Sequence, residues 1–161
     1  MKKNPPKQTL VTVEISSRKF PFTKRELSGF IAKVLTAIRK NQHGVNLYVV
    51  RSPKMRAIHK KFFNDPSDTD CMSFSQFEGK QIGKAKLLGD VFVCWDQVKR
   101  QAPQFGNKPE GELLYCIIHG ILHLIGHDDL KPAARKKMFQ LQDKIFKRFR
   151  NGYSKNSGNR S

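Results

Sequence analysis

The chain has 161 residues, the size of one domain, and its 38% apolar fraction suits a folded core rather than a disordered chain. Lys and Arg total 31 against 13 Asp and Glu, a net charge of +18, which points to a polyanionic partner: nucleic acid first, an anionic membrane surface second. No apolar run approaches the ~18 residues of a membrane span, so no membrane partner of that kind is expected. Met1-Lys-Lys-Asn-Pro-Pro has no apolar signal segment, and Cys71, Cys94 and Cys116 form no Cys-x-x-Cys pair. The expectation is a cytoplasmic protein without a disulfide framework.

Residues 1–9, polar and basic with Pro5-Pro6, read as a flexible arm. From Leu10 to Ser16 the chain alternates, with Val11, Val13 and Ile15 on one side and Thr12 and Glu14 on the other, the pattern of a half-buried strand. Thr23-Lys-Arg-Glu26 is a capping box. Leu27, Phe30, Ile31, Val34, Leu35 and Ile38 follow at helical spacing, and Gly44 lies past the expected end. Val45 to Val50 reads as a second strand. Ser52-Pro53 opens a helix with Met55, Ile58 and Phe62 as its stripe, and Asn64-Asp-Pro-Ser stops it. Cys71–Phe77 and Leu87–Trp95 read as strands on either side of a polar, glycine-containing loop.

A short helix is expected after Asp96, broken near Pro103. Pro109-Glu110 opens the next helix, with acidic residues in the first turn where the helix dipole favours them. Its stretch from Leu113 to Ile125 is apolar nearly all round and so is expected to be buried. A last amphipathic helix begins near Pro132 with Met138, Leu141 and Ile145 as its stripe, and residues 150–161 read as a disordered basic tail. The economical architecture is α+β, a mixed sheet of about four strands packed with helices. The first two strands are expected to be parallel across a right-handed crossover, and the later pair to include an antiparallel edge.

The chemistry concentrates in His119-Gly-Ile-Leu-His123-Leu-Ile-Gly126-His127-Asp128-Asp129. His119 and His123 stand four apart, so their rings leave one face of the buried helix a turn apart and can share one Zn²⁺. Gly126, three residues on, can take positive φ and turn the chain back, bringing His127, Asp128 and Asp129 within reach of the same ion. Two ligands on a helix and a third from the turn leave a position for water, the layout of a catalytic zinc site. The spacing H-x-x-x-H-x-x-G-x-x-D is that of the metzincin proteases with Asp for the third His. Those enzymes need Glu directly after the first His, and Gly120 here has no side chain, which disfavours peptide hydrolysis.

On these residues the chain resembles the YbeY family of bacterial metal-dependent endoribonucleases, whose signature is H-G-x-L-H-L-x-G, then an aromatic or His residue, then Asp and the third ligand, the places of His127, Asp128 and Asp129 here. His119-Gly120, Leu122-His123-Leu124 and Gly126 match it, as do two upstream blocks, Thr69-Asp70-Cys71-Met72-Ser73-Phe74 and Leu88-Gly89-Asp90-Val91. The resemblance covers roughly residues 45–140 and implies one Zn²⁺ per chain held by His119, His123 and Asp129, with His127 the rival third ligand. Asp129 stands where the family has a third His, adding a negative charge that makes the ion a weaker Lewis acid. Phe63 stands where the family carries an arginine tied to activity; Arg56, Lys60 and Lys61 bring positive charge on the preceding helix.

The function this implies is a single-strand-specific zinc-dependent endoribonuclease in ribosomal RNA processing, its single catalytic domain spanning 10–149. Its expected partners are single-stranded RNA and a ribosomal subunit. No side-chain general base stands beside the ligands, so the main catalytic role falls to the metal and its water. Lys60, Lys61, Thr69, Asp70 and Ser73 are the candidate lining of the substrate groove. Basic clusters on two helices, Lys54 to Lys61 and Arg135 to Arg150, are the natural partners of phosphates. The alternative is a non-catalytic RNA- or ribosome-binding factor with a structural zinc.

Overall fold

The computed structural model describes residues 10–77 and 87–152. The expected arm, the loop 78–86 and residues 153–161 of the expected tail lie outside them. The chain runs β1 (Thr12–Ile15), α1 (Lys24–Ala37), β2 (Gly44–Val50), α2 (Ser52–Phe63), β3 (Cys71–Ser75), β4 (Leu87–Cys94), α3 (Trp95–Gln101), α4 (Pro109–Leu124) and α5 (Pro132–Phe149). Short 3-10 turns at Ala102–Phe105 and Arg150–Gly152 complete it, the second carrying ordered backbone into the first residues of the expected tail. The strands form one sheet in the order β1-β2-β4-β3, parallel except for the antiparallel edge strand β3.

Alternation along the strands sorts side chains onto two faces. Val13, Val45, Leu47, Val49, Val91 and Val93 join the main core with α1, α4 and α5. Tyr48, Val50, Met72, Phe74, Phe92 and Cys94 face the other way, over a smaller core closed by Met55 and Ile58 of α2. The capping box at Thr23 forms in both directions: Glu26 N–H donates to Thr23 Oγ1 at 3.0 Å and Thr23 N–H to Glu26 Oε1 at 3.2 Å. Helix α1 then ends without glycine. Arg39 takes the left-handed conformation at φ 58°, and Gly44 instead opens β2.

Two expected stripes change. Phe62 is 56% exposed: its ring meets Phe74 of the edge strand at 5.0 Å and Lys61 Nζ at 5.3 Å, and it does not join the buried Met55. On α5 the buried positions are Met138, Gln142, Ile145 and Phe146, while Leu141 is half-buried. A glutamine thus faces the core. No helix among the described residues is long and apolar enough to cross a membrane.

Candidate metal centre

Helix α4 is the spine of the site. Its buried side chains surround it on nearly every side, and the two histidines open onto a surface: the His119 and His123 side chains are 21% and 29% exposed. The helix ends in a tight reversal. Gly126 sits at φ 96°, its N–H donates to His123 O at 3.1 Å, and His127 N–H reaches back to Leu122 O at 3.1 Å. An L side chain at φ 96° would be strained, so glycine is what lets the chain double back within one residue. Asp128 stabilises the bend by accepting from Leu130 N–H at 2.8 Å, and Asp129 returns to the histidines.

His119 Nε2 lies 3.0 Å from His123 Nε2, and Asp129 Oδ2 lies 3.3 and 3.4 Å from the two nitrogens. A tetrahedral zinc with Zn–N bonds of about 2.0–2.1 Å sets its ligand atoms about 3.3 Å apart, so the triangle already has the size the ion requires. The hydrogen bonds behind the rings supply the stronger argument. His123 Nδ1 lies 2.9 Å from the backbone carbonyl of His127, which can only accept. His119 Nδ1 lies 2.9 Å from Gln142 Oε1, and Gln142 is oriented by its own Nε2, which donates to Tyr115 O at 3.1 Å. Both Nδ1 atoms therefore carry a proton, and in the neutral, metal-binding form of each ring Nε2 presents its lone pair. Two lone pairs and a carboxylate oxygen pointing at one another repel unless a cation lies among them. Among the described residues, these three are the group of His, Cys, Asp and Glu side chains able to hold a metal ion.

Strand β3 fixes the helix that carries this centre. Cys71, Ser73 and Ser75, alternate residues on one face, donate to the carbonyls of Cys116, Gly120 and Leu124, successive turns of α4. Two residues of strand rise about 6.6 Å and four residues of helix about 6 Å, so the ladder keeps step along the element. The approach is close enough that a Cβ on Gly120 would stand 2.5 Å from Val91 Cγ1 and 3.0 Å from Cys71 Sγ. The residue after the first histidine is glycine because helix and sheet touch there.

Two clefts meet at the triad. One, of about 460 Å³, is bounded by His123 with Thr69, Ser73, His59 and Phe63. The other, of about 670 Å³, reaches His119 and Asp129 and is walled by Asp70, Phe105, Arg135 and Lys147. Of the expected groove residues, Thr69 and Ser73 line the first cleft and Asp70 the second. Ser73 also bonds Gly120, and Asp70 accepts from Gln101 Nε2 at 2.9 Å. Lys60 and Lys61 are exposed on the last turn of α2 and line neither cleft. Arg56 is paired with Asp68 at 3.1 Å, an anchor that also takes Ser52 Oγ and the Arg100 guanidinium and holds the loop before Thr69. The His127 ring stands outside the triad, and burial, Lys137 and His123 hold its pKa below the ordinary value.

Sequence reasoning missed Gln142, whose signal was a polar residue on an apolar stripe. It also missed Glu112, 3% exposed one turn before Cys116, with Gln101 Nε2 at 3.0 Å and Asn107 Nδ2 at 2.8 Å on its two oxygens.

Fold and site together define an α+β protein with a His/His/Asp group that could hold a metal ion, reached from two clefts. The matching family model, Endoribonuclease YbeY, spans residues 12–150. The chain is 35% identical over 131 residues to Endoribonuclease YbeY of Cutibacterium acnes, covering 78% of this chain and 84% of that one. It is 35% identical over 139 residues to Endoribonuclease YbeY of Sulfurihydrogenibium sp., covering 85% and 89%. The solution structure of TM1509 from Thermotoga maritima superposes with a TM-score of 0.62 at 25% identity, covering 93% of this chain and 99% of that one. The chain belongs to the YbeY family of endoribonucleases, and its class is therefore that of RNA-cleaving hydrolases.

Proposed function

We propose that this chain is a zinc-dependent endoribonuclease that cuts single-stranded RNA in ribosomal RNA maturation in the cytoplasm, on a ribosomal subunit, with residues 10–149 as its catalytic domain. His119, His123 and Asp129 hold the one ion. The observation that carries this reading is the convergence of two Nε2 lone pairs and a carboxylate oxygen, with each ring locked from behind by an acceptor. Three protein donors, not four, is the count of a catalytic zinc centre. A zinc ion held by His119, His123 and Asp129 would supply Lewis acidity for a phosphoryl oxygen and for a water whose pKa such ions lower toward about 7.

The chain's own residues supply the rest. Gln142 and the His127 carbonyl hold the Nδ1–H groups and so fix the orientation of both rings, with each Nε2 turned toward Asp129. Arg135 and Lys147, which line the second cleft, supply positive charge for RNA phosphates there. A strand with unpaired bases enters the clefts more readily than a duplex, which supports single-strand specificity. One observation favours the second reading, an RNA- or ribosome-binding factor with structural zinc. Phe63 leaves the first cleft without its expected arginine, and Arg56 is committed to Asp68.

The test is cleavage of a short single-stranded RNA by zinc-loaded protein, its arrest by a chelator and its return on adding zinc. Tight RNA binding without any zinc-dependent cut would transfer the assignment to the binding factor. Asp129→Ala is expected to lose the ion and His127→Ala to keep it; unchanged zinc affinity in Asp129→Ala would reject Asp129 as the third ligand.

A further inference from the structure

Four large apolar side chains are exposed among the described residues: Phe62, Phe63, Phe105 and Leu130. They are not scattered. Phe63 lines the cleft that reaches His123, and Phe105 lines the one that reaches His119 and Asp129. Phe62 and Leu130 are chain neighbours of Phe63 and Asp129. Phe63 and Phe105 are 56% and 66% exposed, so much of each residue's surface is open to a ligand.

Both rings are mounted on rigid backbone. Phe63 closes α2, where Asn64 in the left-handed conformation ends the helix, and its ring leans on His59 at 5.5 Å and Phe74 at 6.2 Å. Phe105 ends the 3-10 turn Ala102–Phe105. Gly106 follows at φ 69°, and Asn107 is pinned by its N–H to Ala102 O at 2.9 Å and by its side chain to the buried Glu112 at 2.8 Å. Cationic side chains accompany both positions: Lys60 and Lys61 share the last turn of α2 with Phe63, at the rim outside the first cleft, and Arg135 and Lys147 line the second cleft together with Phe105. Aromatic faces interleaved with cations in a groove are the recognition chemistry of single-stranded nucleic acid, because every base offers a π-face and every nucleotide a phosphate.

We propose that Phe63 and Phe105 are the two base-stacking positions of this chain, one on each side of the metal centre. An RNA strand would then run from the first cleft over the triad into the second. The inference rests on the reading of the triad as an RNA-cleaving centre and adds to it the path and polarity-independent grip of the substrate. It also gives Phe63 a role of its own in the place of the missing arginine: it holds a base where the arginine would hold a charge. Sequence preference should accordingly be weak, since stacking does not read base edges.

The test uses metal-free protein, so that RNA binds without being cut, and a short single-stranded RNA carrying a fluorescent adenine analogue whose emission is quenched by stacking. Stacking on an aromatic ring is worth about 1–3 kcal/mol per base, so Phe63→Leu and Phe105→Leu should each weaken binding roughly 5- to 150-fold and relieve the quenching. Phe63→Trp and Phe105→Trp should restore both. An abasic oligonucleotide of equal length should bind all these variants alike, and Phe62→Leu should bind RNA as the unaltered chain does. Leucine variants with unchanged affinity, or with equal losses for abasic and normal RNA, overturn the inference. If zinc-loaded protein still cuts RNA in that case, the reading of the triad survives alone. If the leucine variants lose affinity as expected but no metal supports cleavage, the stacking positions stand and the nuclease reading falls.

Discussion

Replacing Gln142 with leucine separates a metal centre from a pair of ordinary buried histidines. Gln142→Leu leaves an apolar side chain one atom shorter and removes the acceptor for His119 Nδ1–H and the donor to Tyr115 O. Gln142 is 1% exposed, so the polar groups it serves are shielded by the surrounding packing. Loss of the partner that orients a ligating imidazole costs about 10–100-fold in metal affinity, or roughly 1.4–2.7 kcal/mol. Gln142→Glu gives the contrast. It retains an acceptor for Nδ1–H but sets a carboxylate against the Tyr115 carbonyl, so zinc binding should persist while the fold loses about 1–3 kcal/mol. Competition against a chromophoric chelator measures the affinity, and thermal unfolding of the metal-free protein measures the stability. A Gln142→Leu protein that binds zinc as tightly as the unaltered chain would refute the claim that this hydrogen bond sets the ligand tautomer.

Gly120→Ala should destabilise the chain by about 1–3 kcal/mol, because its Cβ has to displace Val91 at the helix–sheet contact; an unchanged Tm would show that the seam is looser than described. Asp68 should govern part of the acid sensitivity. Burial alone would raise its carboxyl, but hydrogen bonds from Ser52, Arg100 and Arg56 outweigh that and hold it below its ordinary value of 3.8. A depressed carboxyl stabilises the fold above its unfolded pKa and loses that contribution as pH falls through the lower folded value. The Tm deficit of Asp68→Ala should therefore be full at neutral pH and shrink below about pH 4. A deficit independent of pH would show that the ion pairs contribute nothing.

The parts of the centre carried by local sequence were readable, and those made by packing were not. His119 and His123 at helical spacing and Gly126 at the turn depend on residues within one turn of each other, and the structure keeps them together. Gln142 reaches His119 from 23 residues away, across the packing of α5 on α4, so only its polar character on an apolar stripe could have marked it. Phe62 shows the opposite failure. Its spacing fitted the α2 stripe, but spacing cannot say how far along the helix the packed surface extends, and the ring stays exposed. The ladder from Cys71, Ser73 and Ser75 to α4 was likewise hidden, since alternate small polar residues on a strand do not name the helix they meet. The mixed sheet was legible because β1-α1-β2 is a parallel unit and β3 a short edge.

The most direct measurement is the zinc K-edge absorption spectrum of protein loaded with one equivalent of the metal. Two imidazole nitrogens at about 2.0–2.1 Å with oxygen ligands and no sulfur are expected. Fewer than two imidazoles, or sulfur in the first sphere from Cys71 or Cys116, would contradict the arrangement of His119, His123 and Asp129 around one cation.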